Sequence, residues 1–495
     1  MPTTTGDVEI TILDGGGAVV VVPAASVQLV IGTATSGTDN ALVATRNLNT
    51  LSSTFTSGPM MQAAALAVLA GGTVICIKAP TVTAATVSAV VHTGTGASVM
   101  TVTGTAVDEF YVVVKPTVGG TVGVKGIQFQ VSLDAGRHYG PAISLGTAST
   151  YLIPGTGLTL NFTAASMVAG DTYKFGTTPP RTDTGGVSDA LDAFKASQYA
   201  VAGIGSCHIV GFFDGADLGA IQGYLAALKT RFIYTRAICE LRDVSPASVW
   251  GGTAETEADW IDDVTDDVSA LSADRVCPCA GNYNMPTAFP TPTAGTPSYR
   301  RNLAWALAAR QVQIPPQRHA GRVRDGALSN IVVSPTNDGS DGFVYHDESL
   351  NPGFDIARVT SARLRIGLPG VYITNPLLAS SPGSVFTLLP LGNVMDVACA
   401  LVHQVGQQEI NSDIRLNDNG TIFENEAQSI ERVMLGVLNA FMTAKDMISN
   451  ATVSVNRTNN IRATSTVEIS VTIFSRGYVL EEDITIGYAD PFAAT

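Results

Sequence analysis

The residues that could do chemistry in this chain of 495 residues are few, and their spacing gives them little to do. Six cysteines are spread along it: Cys76, Cys207, Cys239, Cys277, Cys279 and Cys399, with Cys277-Pro278-Cys279 the one close pair. A structural zinc site draws four ligands, normally from two such pairs or from a pair and closely spaced histidines. Here there is no second pair and the six histidines are scattered, so the thiols are expected to be buried and incidental. Gly203-Ile204-Gly205-Ser206-Cys207 lacks the G-x-S-x-G spacing that presents a nucleophilic serine on a tight turn. A glycine-rich phosphate loop ending in Lys-Ser/Thr is absent as well. Asp214, at the end of Gly211-Phe212-Phe213-Asp214, has no histidine or second acid in register and is expected to cap a turn or helix.

The densest charge is acidic. On a helix expected over 257–272, Asp262, Asp263, Asp266 and Asp267 form two like-charged i, i+4 pairs. Such a pair disfavours an isolated helix by roughly 0.2–0.5 kcal/mol. Three readings are open: a solvated face, a face that docks on a basic partner, and a cation site. Divalent cations usually draw their oxygens from converging loops rather than from one helix face. None of the three supports a reaction. The chain is therefore expected to be no enzyme, with no cofactor and no metal.

The elements that would position these residues are of several textures. Ser26–Ala34 and Thr73–Lys78 read as buried strands, with an Ala-rich helix over Met60–Leu69 between them and Gly71-Gly72 ending it. From Pro80 to Pro179-Pro180, Val, Thr and Gly dominate and helical periodicity vanishes. Strands are expected at Ser98–Thr103, Glu109–Lys115, Gly126–Leu133, Thr159–Phe162 and Thr172–Phe175. Helices and strands then alternate: helix Val187–Ser197, strand Cys207–Phe213, helix Ala216–Thr230, strand Phe232–Glu240, the acidic helix, and strand Val276–Cys279. Asn282–Pro297 reads as a Pro/Thr-rich loop, Tyr299–Gln311 as a helix, and Pro315–Asp355 as irregular with a turn at 335–339. A long helix is expected within Val385–Gln407. An amphipathic helix over Glu424–Met447 would carry Ile430, Val433, Met434, Val437, Leu438 and Phe441 on one face. A hairpin follows, Thr452–Arg457 returning through Thr464–Phe474, in which Val467, Ile469, Val471 and Ile473 alternate cleanly.

Both ends read as strands with no evident place in their own domain. Val8, Ile10 and Ile12 alternate ahead of Gly15–Gly17, and Ile484, Ile486 and Tyr488 alternate near the other terminus. A tethered strand either finds an edge of its own fold or extends the edge of a neighbour. Composition fits the second case. Charged residues make up 14% of the chain, against roughly 25% in an ordinary globular domain, while 49 glycines and many Thr, Ala and Ser leave a weakly charged surface. Such a surface suits a protein covered by copies of itself. The net charge of −14 argues against direct nucleic-acid binding, and the cluster Arg318, Arg322 and Arg324 reads as a solvated loop. The start lacks the basic and apolar regions of a signal peptide, and no apolar run is long enough to span a bilayer. Folding in a cytoplasm, without membrane insertion, is the expectation.

Within Ser26–Ala79 the sequence resembles contractile-tail sheath proteins of tailed phages and phage-tail-like injection systems. The resemblance is carried by Val30-Ile31-Gly32-Thr33-Ala34, then Thr38-Asp39-Asn40, Leu42-Val43-Ala44-Thr45, and Ala70-Gly71-Gly72-Thr73-Val74-Ile75-Cys76-Ile77. The order helix, hairpin, terminal arm is similar to the inner domain of that family, and the β-rich insertion to its outer domains. The Pro-Gly-Val-Tyr usual near the family's N-terminus is replaced by Gly6-Asp7-Val8-Glu9-Ile10.

The resemblance implies a multidomain α/β (α+β) fold: a mixed-sheet sheath core, a β-rich insertion domain and extended terminal strand arms. The chain would begin with an N-terminal arm donating a strand (1–22) and a first core segment (23–80). The outer β-rich insertion (81–180) and a second, α/β core segment (181–375) would follow. An inner domain with helix and hairpin (376–475) and a strand-donating C-terminal arm (476–495) would complete it. The resemblance also implies stacked hexameric rings in a helical lattice around an inner tail tube, with baseplate and tail terminator proteins as further partners, in the virion tail after assembly in the host cytoplasm. Subunit-interface residues would then be Val8, Ile10, Ile12, Val453, Val455, Val467, Ile469, Val471, Ile473, Ile484 and Ile486, and Asp262, Asp263, Asp266 and Asp267 would face the tube. The alternatives are another virion structural protein, such as a baseplate or capsid component, and a soluble acidic enzyme.

Overall fold

The computed structural model describes residues 26–287, 297–332 and 342–480. They form a mixed α/β protein of several sheets and ten helices among the described residues. The chain divides into two compact units, with the boundary between Asp413 and Ile414.

The first unit is organised by a six-stranded sheet. β1 (Val27–Gly32) is apolar almost throughout and buried from Leu29 onward, as a parallel strand covered on both faces must be. Its one polar side chain, Gln28, donates from Nε2 to the carbonyl of Ala308 at 3.0 Å. β2 (Leu42–Thr45) leads to α1 (Leu48–Phe55), capped by the Asn47 side chain, and then to α2 (Pro59–Leu69) and β3 (Thr73–Lys78). Gly58 before α2 has φ +118°, and a Cβ there would come within 2.9 Å of Ala34 Cα.

The chain then enters a region made of strands alone. It contains β4 (Val91–Thr93), β5 (Met100–Gly104), β6 (Tyr111–Val118), β7 (Gly120–Thr121), β8 (Gln128–Ser132), β9 (Ile143–Ser144), β10 (Thr150–Ile153), β11 (Leu158–Phe162), β12 (Ser166–Met167) and β13 (Thr172–Gly176). β4-β13-β6-β8-β9 form one antiparallel sheet and β10-β11-β5 another. Phe129, Phe162, Tyr173, Phe175 and Leu158 fill a core of their own there. The chain enters and leaves side by side, through bridges Thr83↔Arg181 and Val87↔Thr177.

Next come α3 (Thr184–Lys195), α4 (Gln198–Ala202), β14 (Ser206–Phe212), α5 (Gly215–Lys229), β15 (Ala237–Glu240), α6 (Glu257–Ser269) and β16 (Val276–Cys279). The large sheet has the order β16-β15-β14-β1-β3-β2, parallel except for β2. Buried side chains of α3, α5 and α6 cover one face. The other face is covered by α2 and, after the antiparallel pair β17 (Asn282–Pro286) and β18 (Ser298–Asn302), by α7 (Leu303–Gln311). The hairpin β19 (Ala362–Arg365) and β20 (Leu368–Ile373) and the long α8 (Leu389–Gln408) complete this unit.

Several expectations need correction. Asn282–Pro286 is a strand, not loop, and Ser298–Asn302 is its partner rather than the first turn of a helix. Both strands bury polar residues, among them Asn284, Arg300 and Arg301, which disguises them. The helix begins at Leu303, where the Asn302 side chain accepts from the Ala304 amide at 2.8 Å. Only Ala237–Glu240 of the segment 232–240 is strand. The turn expected at 335–339 lies outside the described residues.

Candidate functional site

The second unit is small, and among the described residues its sheet has two strands. α9 (Glu424–Phe441) is amphipathic: Ala427, Ile430, Met434 and Leu438 are buried, at the i, i+3, i+4 spacing of one face. It ends at Phe441, earlier than 447, and Val433 is 46% exposed rather than part of the buried face. β21 (Asn450–Val455) and β22 (Ile469–Phe474) pair antiparallel, joined through a helical turn, α10 (Ile461–Thr464). The register places Ala451, Val453 and Val455 opposite Ile473, Val471 and Ile469, while Thr452 faces Thr472 and Ser454 faces Ser470. One face is therefore apolar and the other hydroxyl-rich. β21 buries Ala451 and Val455, but Ile469, Val471 and Ile473 of β22 are only half-buried.

The backbone of this hairpin has a definite polarity. The Asn456 amide donates to the Glu468 carbonyl at 2.8 Å, which continues the ladder past the end of β21. Alternation then sends the backbone groups of Val455, Val453 and Ala451 outward from the pair, and likewise those of Ile469, Val471 and Ile473. At Val455 both outward groups are already satisfied. Its amide donates to Glu431 Oε1 at 2.8 Å and its carbonyl accepts from Arg457 Nη1 at 2.7 Å. Arg457 is in turn held by Glu431 and, through Nε at 3.0 Å, by Glu424 of α9. This clamp closes one end of the β21 edge. No described strand pairs with the outer edge of either strand, and the β22 edge has no comparable clamp among the described residues. An unpaired edge beside a half-covered apolar face is a template for a further strand.

Of the residues expected at a subunit interface, Val453, Val455, Ile469, Val471 and Ile473 lie in this pair, and Val467 is half-buried just before β22. Val8, Ile10, Ile12, Ile484 and Ile486 lie outside the described residues. The Glu431–Arg457 clamp was not evident from sequence, because its members are 26 residues apart.

The acidic helix is α6, and Asp262, Asp263, Asp266 and Asp267 are all exposed on it. Two of the four have partners within their own unit. Asp263 pairs with Arg242 Nη2 at 3.0 Å, and Asp267 accepts from the Gly215 amide at 2.7 Å at the start of α5. The N-terminal end of α6 holds a buried triad that the sequence did not reveal. His346 Nδ1 lies 2.9 Å from Glu257 and its Nε2 2.9 Å from Glu348. Burial pulls the imidazole down, but the hydrogen bonds to Glu257 and Glu348 outweigh it and hold His346 above its ordinary 6.5. Burial pushes Glu348 up, yet His346 and the amides of Gly353 and Asp355 hold it below its ordinary 4.5.

The His346 contribution to stability is therefore complete below 6.5 and is lost as pH rises through its raised value. That of Glu348 is complete above 4.5 and is lost as pH falls through its depressed value. Melting temperatures of the parent and His346→Gln should differ most between 4.5 and 6.5 and converge toward alkaline pH. A difference independent of pH would show that the imidazole stays neutral in the fold.

No group of three or more His, Cys, Asp or Glu side chains placed to hold a metal occurs among the described residues. All six cysteines are free, and burial pushes Cys76, Cys207, Cys239 and Cys279 well above the ordinary thiol range. Among the described residues no helix is long and apolar enough to cross a membrane. Buried charge is used structurally instead: Asp396 of α8 takes both Arg236 and Arg275, Asp243 takes Arg300, and Asp108 takes Arg301.

The sequence model of a family described as DUF2586, N-terminal domain, matches residues 5–376. No curated protein matches the sequence. The fold is similar to a sheath tail protein of Listeria innocua, with 12% identity, a TM-score of 0.43, and 92% of this chain and 95% of that one covered. It is similar to a sheath tail protein of Desulfitobacterium hafniense, with 9% identity, a TM-score of 0.47, and 94% and 100% covered. It is also similar to the helical sheath of the anti-feeding prophage in its contracted state, with 10% identity, a TM-score of 0.47, and 99% of each chain covered.

Proposed function

The chain belongs to the DUF2586 family, and from that premise we propose that it is the structural subunit of a contractile tail sheath. Copies of it would stack as hexameric rings in a helical lattice around an inner tail tube, bounded by baseplate and terminator proteins. The sheath would contract from a metastable extended state to drive the tube through an envelope. Its place is the tail of a virion or phage-tail-like particle, assembled in the host cytoplasm. It has no catalytic task, because the energy of contraction lies in the difference between two packings of the same subunits.

The observation that carries this reading is the β21–β22 pair: among the described residues it is a two-stranded sheet with an unpaired β22 edge and an apolar face that its own unit half covers. A hairpin alone is marginal in water, and added strands remedy that. The residue patterns at 8–12 and 484–488 supply strands of the right kind from neighbouring copies. The β22 edge, which lacks the Glu431–Arg457 clamp, offers the longer run. The exposed face of α6, with Asp262 and Asp266 free of the partners that engage Asp263 and Asp267, is the face we assign to the tube.

Proline lacks the amide proton and fixes φ. Ile10→Pro and Ile486→Pro should each leave a folded monomer, by circular dichroism, that fails to form the tubes or rings seen with the parent by negative-stain microscopy. If both variants polymerise like the parent, the terminal segments are not the links. If both unfold as monomers, those segments belong to their own chain's fold and the woven lattice is wrong.

A further inference from the structure

A cavity of about 450 Å³ opens at the carboxyl ends of β14 and β15, roofed by the strand-only region around Glu109, Tyr111 and Thr177. Its place in the sheet matters. From β1 the chain passes to β3 on one side, whereas β14, β15 and β16 build outward on the other. The crevice outside the carboxyl ends of parallel strands, where strand order reverses, is where such sheets bind small molecules. The walls are mostly apolar, with Pro59, Val210, Phe212, Trp250 and Trp305 among them, and a few polar groups converge between. That is the usual composition of a small-molecule site.

The charges around the cavity do not cancel. Two arginines line it, Arg242 and Arg301, and a third, Arg300, pairs with the lining Asp243, so each already has a carboxylate. Arg301 pairs with Asp108 at 2.7 Å, Arg300 with Asp243 at 2.6 Å, and Arg242 with Glu255 at 2.8 Å. Two lining carboxylates remain, Glu109 and Glu240, and neither has an arginine or lysine in ion-pair contact among the described residues. Glu240 Oε1 accepts from Trp305 Nε1 at 2.8 Å, and His208 Nε2 lies 3.3 Å away without hydrogen-bond geometry. Burial pushes Glu109 up to about 7, ahead of the attraction of Arg301, the repulsion of Asp243, the attraction of Arg300 and the hydrogen bond from Tyr111. Burial is what displaces this carboxylate, and the pull of the two arginines does not restore it.

We propose that this cavity binds a small organic cation: an ammonium or guanidinium group, held by Glu240 and Glu109, on an apolar body that lies against Trp250, Trp305 and Phe212. An anion would meet Glu240, with no arginine or lysine in ion-pair contact among the described residues to offset it. No group of three or more His, Cys, Asp or Glu side chains placed to hold a metal lies there among the described residues. An organic cation needs only one or two charge-assisted hydrogen bonds and an apolar surface, and both are present.

The test uses the full chain and three probes of one shape: benzylamine, benzyl alcohol and benzoate. Two of the three tryptophans line the cavity, so their fluorescence reports on it directly. Benzylamine should give a saturable change. Benzyl alcohol should bind roughly tenfold or more weakly, the difference expected of one charged hydrogen bond, and benzoate should give none. Glu240→Gln and Glu109→Gln should each weaken benzylamine by about tenfold with circular dichroism unchanged. If either variant fails to fold, the amine-to-alcohol ratio on the parent decides alone. No saturable change with benzylamine, equal binding of amine and alcohol, or folded variants that bind benzylamine like the parent would each overturn the proposal.

Discussion

Replacing Val471 by proline is expected to abolish self-association while leaving the hairpin paired. The outward backbone groups of β22 belong to Ile469, Val471 and Ile473, because the ladder runs through the alternate residues that continue from Asn456 and Glu468. Proline is tolerated on a strand whose amide faces away from its partner. Val471→Pro therefore removes no bond within the pair. It removes a donor in the middle of the free edge and leaves an incoming strand with an unsatisfied carbonyl. Such a loss amounts to about 1–3 kcal/mol at each junction, and a lattice repeats the junction at every subunit. Thr472→Pro is the contrasting control. Its amide lies in the ladder toward Thr452, so this variant should disrupt the hairpin itself. Sedimentation velocity and circular dichroism read the two effects separately. If Val471→Pro assembles like the parent, the β22 edge is not a joint.

The largest loss of stability is expected at Asp396. Its carboxylate, buried on α8, accepts from Arg275 Nη2 at 3.0 Å and lies 3.1 Å from Arg236 Nε. Both guanidiniums are almost wholly buried. Each also donates to a backbone carbonyl: Arg236 to Asp274, and Arg275 to Thr235 at 2.8 Å. Burial pulls Arg236 below the usual arginine range, opposed first by the attraction of Asp396. Asp396→Ala would leave two like charges facing each other without their counterion. Breaking a buried pair by removing one partner costs about 3–5 kcal/mol. Urea unfolding of the parent and of Asp396→Ala measures it. Replacing Arg236 and Arg275 by methionine in the Asp396→Ala background should recover part of the loss, since the uncompensated charge is then gone. A loss below about 1 kcal/mol, the size for a solvated pair, would show that water reaches the site. The helix is shaped around the arginine: a Cβ at Gly392 would come within 2.3 Å of Arg236 Nε.

Whether an element could be read from the sequence depended on how its burial is achieved. β1, β3 and β14 are apolar runs between turn residues, and hydrophobicity alone marks them. β22 is marked by its alternation. α1 was missed because Leu48–Phe55 contains only two buried anchors, Leu51 and Phe55, among Ser, Thr and Asn. β17 and β18 were missed for a different reason: they bury asparagine and arginine, and the partners that make this tolerable are remote. Asp108 lies 193 residues from Arg301, and Asp243 lies 57 from Arg300. A local window carries no trace of such pairings. The same holds at the candidate site. The paired strands were visible, but the clamp on the Val455 edge and the His346 triad depend on tertiary placement. The strands expected at 8–12 and 484–488 fall outside the described residues.

The side-by-side entry and exit of the strand-only region has a consequence for how this protein can change. Because Thr83 bridges Arg181 and Val87 bridges Thr177, the path from β3 to β14 closes on itself before the region begins. A segment whose ends lie equally close could in principle be exchanged there without altering the order of the large sheet. Several contacts limit the exchange: the Ser88 hydroxyl donates to the Trp250 carbonyl at 2.7 Å, Asp134 accepts from the Ser298 amide at 3.2 Å, and Tyr111 packs against Trp250 and Phe343. Arg301 is buried and takes its counterion from Asp108 within the region, so a graft must bring a carboxylate to that point or be accompanied by a neutral residue at 301.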